Sequence, residues 1–218
     1  MFCKLTLGLN NRSHPKTMNI FEKYIGPRFT HFLCGHRTFT RQRQKVVPLA
    51  RGRVLEIGIG TGLNLGFYDP KKVEHVWGLD PSAAMWMMAD TTNAKFEVEF
   101  LQASAEKIPL DEDSADSILV TYTLCSVSNM IEALSDMRRV LKPGGELIFC
   151  EHGAAPDENV RKWQDRLNPI WSKLAGGCNL NRSIPALLEQ GGFKVSALDT
   201  MYLPTWKPAA FNYWGTAV

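Results

Sequence analysis

The chain has 218 residues, 44% of them apolar and 22% charged, with a formal net charge of +3. That length fits one large α/β domain with a proper core, and the composition excludes disordered, collagen-like and coiled-coil chains. The slight basic excess falls short of a nucleic-acid-binding surface, so no nucleic-acid partner is expected.

Five cysteines, Cys3, Cys34, Cys125, Cys150 and Cys178, are scattered without CxxC spacing. The number is odd and the spacing suits neither a full disulfide framework nor a zinc site, so no metal is expected and a reducing cytoplasm is the simplest location. No apolar run approaches the roughly 20 residues of a membrane span. An integral membrane segment is therefore not expected, while peripheral contact with a membrane surface stays open.

In chain order, residues 1–17 read as a disordered leader, with Met18 as a hypothetical natural start. Residues 18–52 are rich in aromatic and basic side chains and read as a helical lid ending near Pro48, placed over the ligand edge of a sheet. Residues 53–218 form the main domain. Apolar runs at 53–59, 75–80, 96–103 and 115–123 alternate with turns and helix-like stretches, the pattern of βαβ units on a parallel sheet. A fifth run, 146–152, follows a helix in which Met130, Leu134, Met137 and Leu141 recur at helical spacing and which Pro143 and Gly144 stop. Beyond Glu151 the pattern predicts a long helical stretch broken at Pro169, a glycine turn and a short helix over 183–192. Two last strands, 193–202 and 211–217, are joined by a proline-containing link that suits an antiparallel hairpin at the sheet edge. The fold expected is α/β, a single Rossmann-like domain with a mostly parallel seven-stranded sheet.

The strongest local signal is the apolar strand Val54, Leu55, Glu56, Ile57 running into Gly58, Ile59, Gly60, Thr61 and Gly62, with a helix expected after it. Glycines there permit positive φ and let a ligand touch bare backbone. A dinucleotide site wants its third glycine at position 63, which is Leu63, and no GK[ST] follows, which excludes a P-loop. The spacing favours S-adenosylmethionine. The next acidic residue at a strand end is Asp80, whose carboxylate can accept from both ribose hydroxyls. Taken singly, the glycines read equally as a tight strand-to-helix turn and Asp80 as a cap for a helix over 82–89; their agreement favours the cofactor site.

On these residues the sequence resembles the class I S-adenosylmethionine-dependent methyltransferases over about 53–149. The family's E/DxGxGxG motif is matched by Glu56, Gly58, Gly60 and Gly62, and its ribose acid by Asp80. The segment Gln102 to Leu110 resembles the adenine-binding stretch, with Ser104 where the family commonly has Asp and with Ala105 presenting its backbone. Thr123 and the LKPGGEL turn complete the pattern. The resemblance implies cofactor contacts at Glu56, Gly58, Gly60, Thr61, Gly62, Asn64, Asp80, Pro81, Ser104, Ala105 and Thr123, with Asn64 reaching the methionine end or serving as a helix-terminal amide. The carboxyl-terminal third is similar to a narrower group, the microsomal methyltransferase-like enzymes that methylate alkyl thiols. The shared pieces are TLCSV (123–127), Glu151-His152, the Trp163, Leu167, Pro169, Trp171 pattern, GCNLNR (177–182) and the closing YWGTAV.

That similarity implies a small, apolar acceptor, with a thiol favoured. A phospholipid amine, suggested by the basic 37–45 run, a quinone precursor and a noncatalytic S-adenosylmethionine sensor are the alternatives. His152 reads as a base or a substrate contact, or as a capping or core histidine. Tyr24, Cys125, Trp163, Trp171 and Asn179 are the candidate acceptor contacts, with core packing the competing role of Cys125 and the tryptophans.

Overall fold

The computed structural model describes residues 28, 31, 32, 34–92 and 94–218. Tyr24, the 1–17 leader and most of the first part of the expected lid lie outside them. The described elements are α1 (Arg37–Val46), β1 (Gly52–Ile57), β2 (Val73–Leu79), α2 (Ala83–Trp86), β3 (Glu97–Leu101), β4 (Ala115–Thr121), α3 (Met130–Val140), β5 (Leu141–His152), α4 (Glu158–Leu174), α5 (Ile184–Gln190), β6 (Val195–Tyr202) and β7 (Phe211–Ala217).

The strands form one seven-stranded sheet in the order β3-β2-β1-β4-β5-β7-β6. β1 to β5 pair in parallel, and β7 enters antiparallel between β5 and the edge strand β6. The central strands are buried on both faces, because successive side chains point to opposite sides and both sides are covered. Leu55, Ile57, Ile118, Val120, Leu147 and Phe149 face α3 and α5, packing with Leu134, Met137, Ile184 and Leu188. Val54, Leu119, Ile148 and Cys150 face the other way, against Val46, Val47 and Ala50 at the end of α1. The strand order reverses at β1 and β4, so the carboxyl ends of these two strands flank the crevice where open α/β sheets bind ligands.

Three local expectations are corrected. The glycine turn after β1 does not open an α-helix: turns lead to a short 3-10 segment, Leu65–Phe67, because Gly66 and Pro70 punctuate the stretch. α3 ends at Val140, before Pro143, and the chain enters extended backbone at Leu141. α4 is not broken at Pro169 but runs continuously through it. Proline removes one helix hydrogen bond there, yet tertiary bonds from the turns just before it hold the helix. Gln164 accepts from Ala155 N and donates to the carbonyls of Gly153 and Pro208, and Asn168 donates to Asn179 Oδ1 and accepts from Leu180 N.

α3 and α5 meet where Gly191 lies against Leu134, close enough that a Cβ at 191 would collide with the leucine side chain. Gly191→Ala is expected to lower the unfolding free energy by about 1–3 kcal/mol through overpacking, and the same substitution should cost less when made in a Leu134→Ala background, which itself is destabilised by its cavity. Urea denaturation of the two variants measures both.

Candidate active site

A cavity of about 420 Å³ opens at the carboxyl ends of β1, β2 and β4. Its wall includes Glu56, Gly58, Gly60, Thr61, Asn64, Asp80, Pro81, Ser104, Ala105 and Thr123, so the fold brings together nearly all of the cofactor residues expected from sequence.

The three glycines do different things. Gly58 has φ +71°, and any Cβ there would run into the Thr123 side chain at the end of β4. Gly60 has φ +54° and donates its N–H to Asp80 Oδ2 at 3.1 Å. Gly62 stands outside the cavity wall, and its missing side chain makes room for Leu65 and Ala89. Asp80 also accepts from Ser82 N at 2.8 Å through Oδ1. Burial pushes its carboxyl above the ordinary value, with these two N–H donors opposing the shift. Each carboxylate oxygen keeps lone-pair capacity for a further donor.

Glu56 is almost fully buried. It accepts from Asn64 Nδ2 at 2.9 Å and from the Tyr68 hydroxyl at 2.6 Å. Burial pushes its pKa up to about 7, the two donors and Arg43 pulling the other way. The Asn64 amide nitrogen also donates to Thr121 Oγ1, while Oδ1 is buried without a partner. Asn64 thus orients Glu56 and leaves one acceptor unmet at the cavity wall. Ser104 is exposed and hydrogen-bonds the Glu106 carboxylate.

Sequence reasoning missed two contributors. Arg43 lies in the basic 37–45 run, noted from sequence as a hint of a phospholipid acceptor, yet it is 4% exposed and lines the cavity. Its guanidinium donates to Cys34 O at 2.6 Å and sits 5.2 Å from the Tyr122 ring centroid, while Nε has no partner among the described residues. The helical periodicity of 37–46, with Gln42, Arg43 and Val46 on one face, was the available signal. Tyr122 is the second: it has φ +53°, a left-handed conformation costly for a bulky residue, at the end of β4 beside Thr123. Its ring packs edge-on to Phe39 of α1, and its hydroxyl donates to Asn212 Oδ1 at 3.0 Å. His31, before α1, reaches Thr61 Oγ1 at 2.7 Å.

The acceptor candidates divide. His152 does not line the cavity; it is buried, with Nε2 at 3.2 Å from Cys178 Sγ. Burial depresses its pKa, but contact with Cys178 and the charge of Glu151 outweigh that and leave it raised. Cys125 is buried beside it, and the ligand atoms of Cys125, His152 and Cys178 all lie within 4.8 Å of one another. Chain spacing gave no hint of this cluster, since the three residues come from three separate loops and strand ends. Asn179 is committed to structure, donating to the carbonyls of Cys125 and Gly177. Trp171 donates to Cys178 Sγ at 3.4 Å and packs against Trp206. Trp163 is 56% exposed and lines a separate concavity of about 500 Å³ with Leu167, Trp206 and Pro208. Glu151, fully buried, accepts from Thr123 N and Leu124 N and so fixes the turn after β4. Among the described residues no helix is long and apolar enough to cross a membrane.

Residues 55–149 match the family described as a methyltransferase domain. The chain is 32% identical over 188 residues to the human thiol S-methyltransferase TMT1A, covering 83% of this chain and 76% of that protein. It is 33% identical over 121 residues to the demethylmenaquinone methyltransferase of Clavibacter sepedonicus, covering 55% of this chain and 49% of that one. The structure of an S-adenosylmethionine-dependent methyltransferase from Leishmania major superposes with a TM-score of 0.66 at 15% identity, covering 90% of this chain and 80% of that one. A doubly wound sheet with a glycine turn at its switch point, and this degree of relatedness, place the chain in the class I S-adenosylmethionine-dependent methyltransferases. It is a methyltransferase, and its methyl donor is S-adenosylmethionine.

The raised pKa of Glu56 has a definite consequence for stability. Folding favours its protonated form, so that contribution is fully present below about pH 4.5 and is lost as pH rises through about 7. Stability curves of the wild type and Glu56→Gln, measured by denaturation at several pH values, should therefore diverge across that window, the wild type losing more than the variant, in which Glu151, also pushed up to about 7 by burial, still contributes its own loss.

Proposed function

We propose that this enzyme transfers the methyl group to the sulfur of a small, largely apolar thiol. The observation that carries the reading is the identity shared with a thiol S-methyltransferase over most of both chains. The thiols of Cys34, Cys125, Cys150 and Cys178 are all free, in keeping with a reducing, cytoplasmic location.

In this reading Asp80 takes the ribose hydroxyls, and the backbone around Gly58 and Gly60 lies against the adenosyl group. Ser104 and the Ala105 backbone meet the adenine edge. The ammonium of the methionine moiety lies near Glu56 and the unmet Asn64 Oδ1, and its carboxylate pairs with Arg43, whose Nε is free to donate. Tyr122 and Thr123, on the same cavity wall, would flank the methyl group. His31, Cys34 and Arg43, which line the cavity, help to exclude water from it. Because the sulfonium is already a strong electrophile, the protein's main task is to hold donor and acceptor in line.

Arg43→Ala and Asp80→Asn each remove a charge-assisted hydrogen-bonding partner worth about 1.5–3 kcal/mol, so each should weaken S-adenosylmethionine binding by about 10- to 100-fold in calorimetry. Incubation with methyl-labelled donor and a panel of alkyl thiols, amines, phospholipids and quinols should label the thiols. Labelling confined to quinols would replace the thiol reading with the quinone-precursor one that the Clavibacter relative supports. Confinement to phospholipid amines, or turnover with none of the panel, would overturn it as well.

A further inference from the structure

Three residues outside the cofactor cavity carry chemistry that the proposed reaction has not used. Cys125 lies in the turn after β4, His152 ends β5, and Cys178 follows the glycine turn after α4. Their ligand atoms lie within 4.8 Å of one another, and His152 Nε2 is 3.2 Å from Cys178 Sγ. Tetrahedral zinc, with bonds of about 2.3 Å to sulfur and about 2.0–2.1 Å to nitrogen, holds its ligand atoms roughly 3.6–3.8 Å apart, so side-chain adjustments of up to about 1 Å, opening the Nε2–Sγ contact and closing the wider separations, set the three around an ion. The His152 ring is 9% exposed and its Nδ1 has no hydrogen-bond partner among the described residues, so none of their carboxylates or carbonyls locks the imidazole against such an adjustment.

We propose that Cys125, Cys178 and His152 form a binding site for one thiophilic divalent cation, zinc by preference, which leaves one coordination position for the sulfur of the acceptor. Two thiolates and an imidazole are the donor set that favours zinc over magnesium or calcium, and three protein ligands with a fourth position open is the arrangement of catalytic zinc. The cluster stands beside the donor cavity: Thr123 and Ser126, flanking Cys125, and Gly176, two residues before Cys178, all line that cavity. The role of the cation rests on the thiol reading above; the existence of the site does not. When the acceptor binds, its S–H proton passes to solvent and its sulfur coordinates the cation as thiolate. A lone pair on that sulfur forms the new bond to the methyl carbon. The sulfonium carbon–sulfur bond breaks, and its electron pair stays on the departing sulfur, giving S-adenosylhomocysteine. The neutral thioether is a poorer ligand than a thiolate and leaves.

Cobalt(II) tests the site without any acceptor. Chelator-treated, full-length protein kept under reducing conditions should take up one equivalent of cobalt with an intense sulfur-to-cobalt charge-transfer band, and zinc should displace it. Cys125→Ser and Cys178→Ser should abolish the band, and His152→Ala should weaken cobalt binding at least tenfold; calorimetric binding of S-adenosylmethionine by each variant reports that it has folded. X-ray absorption at the zinc edge should then count one additional sulfur when a thiol is added to the zinc-loaded protein. The absence of a charge-transfer band in the wild type overturns the site, whatever the variants do. Thiol methylation at full rate by metal-free enzyme overturns the role of the cation while leaving the thiol reading intact. A zinc-loaded enzyme that binds cobalt as expected but methylates only other acceptors overturns the thiol reading and leaves the site standing.

Discussion

The close approach of the β1 turn to the ends of its two neighbouring strands is the constraint on which the rest depends. β1 is hydrogen-bonded between β2 and β4, so whatever follows Ile57 must pass between Asp80 and Thr123. Gly58 lets Thr123 come up against the main chain, and Gly60 turns its N–H to the Asp80 carboxylate. A side chain at Gly58 would push β4 away and open the crevice. The cavity is therefore a by-product of strand pairing plus missing Cβ atoms, and it is present before any ligand arrives.

Around that turn the protein buries polar groups that a core built only for stability would replace with hydrocarbon. Glu56, Glu151, Arg43 and His152 are all nine-tenths or more buried, and each has a polar atom without a partner or a pKa displaced by burial. Buried charges of this kind cost stability unless paired, and they are retained where function needs them. Tyr122 adds backbone strain at the same place, stabilised by its ring contacts with Phe39 and Arg43 and by its bond to Asn212. Destabilising features collected at one sheet edge, against apolar packing everywhere else along β1, β4 and β5, separate the working end of the molecule from its scaffold.

The amino-terminal helix links the two. α1 contributes Val46 to the core on one face of the sheet, and Gln42 and Arg43 are buried on the same side of the helix. Anchoring and ligand recognition thus share one short amphipathic segment. A helix anchored this way moves only by disturbing core packing at its own base, which limits its freedom near β1.

Much of this was legible from sequence. Strand runs such as 115–123 and 211–217 are apolar, bounded by turn residues and buried on both faces, so local composition alone marks them; the GxGxG spacing and Asp80 mark the crevice because both sit at strand ends wherever the fold is parallel. Sequence by itself therefore determined the class of fold, the order of elements and the cofactor. Tertiary structure decided the rest: that Gly62 stands outside the cavity wall, that α4 survives Pro169, that Arg43 points inward, and that Cys125, His152 and Cys178 meet. Each of these turns on contacts between residues far apart in the chain, through side-chain direction and packing, and hydrophobic periodicity and local spacing carry no information about such encounters.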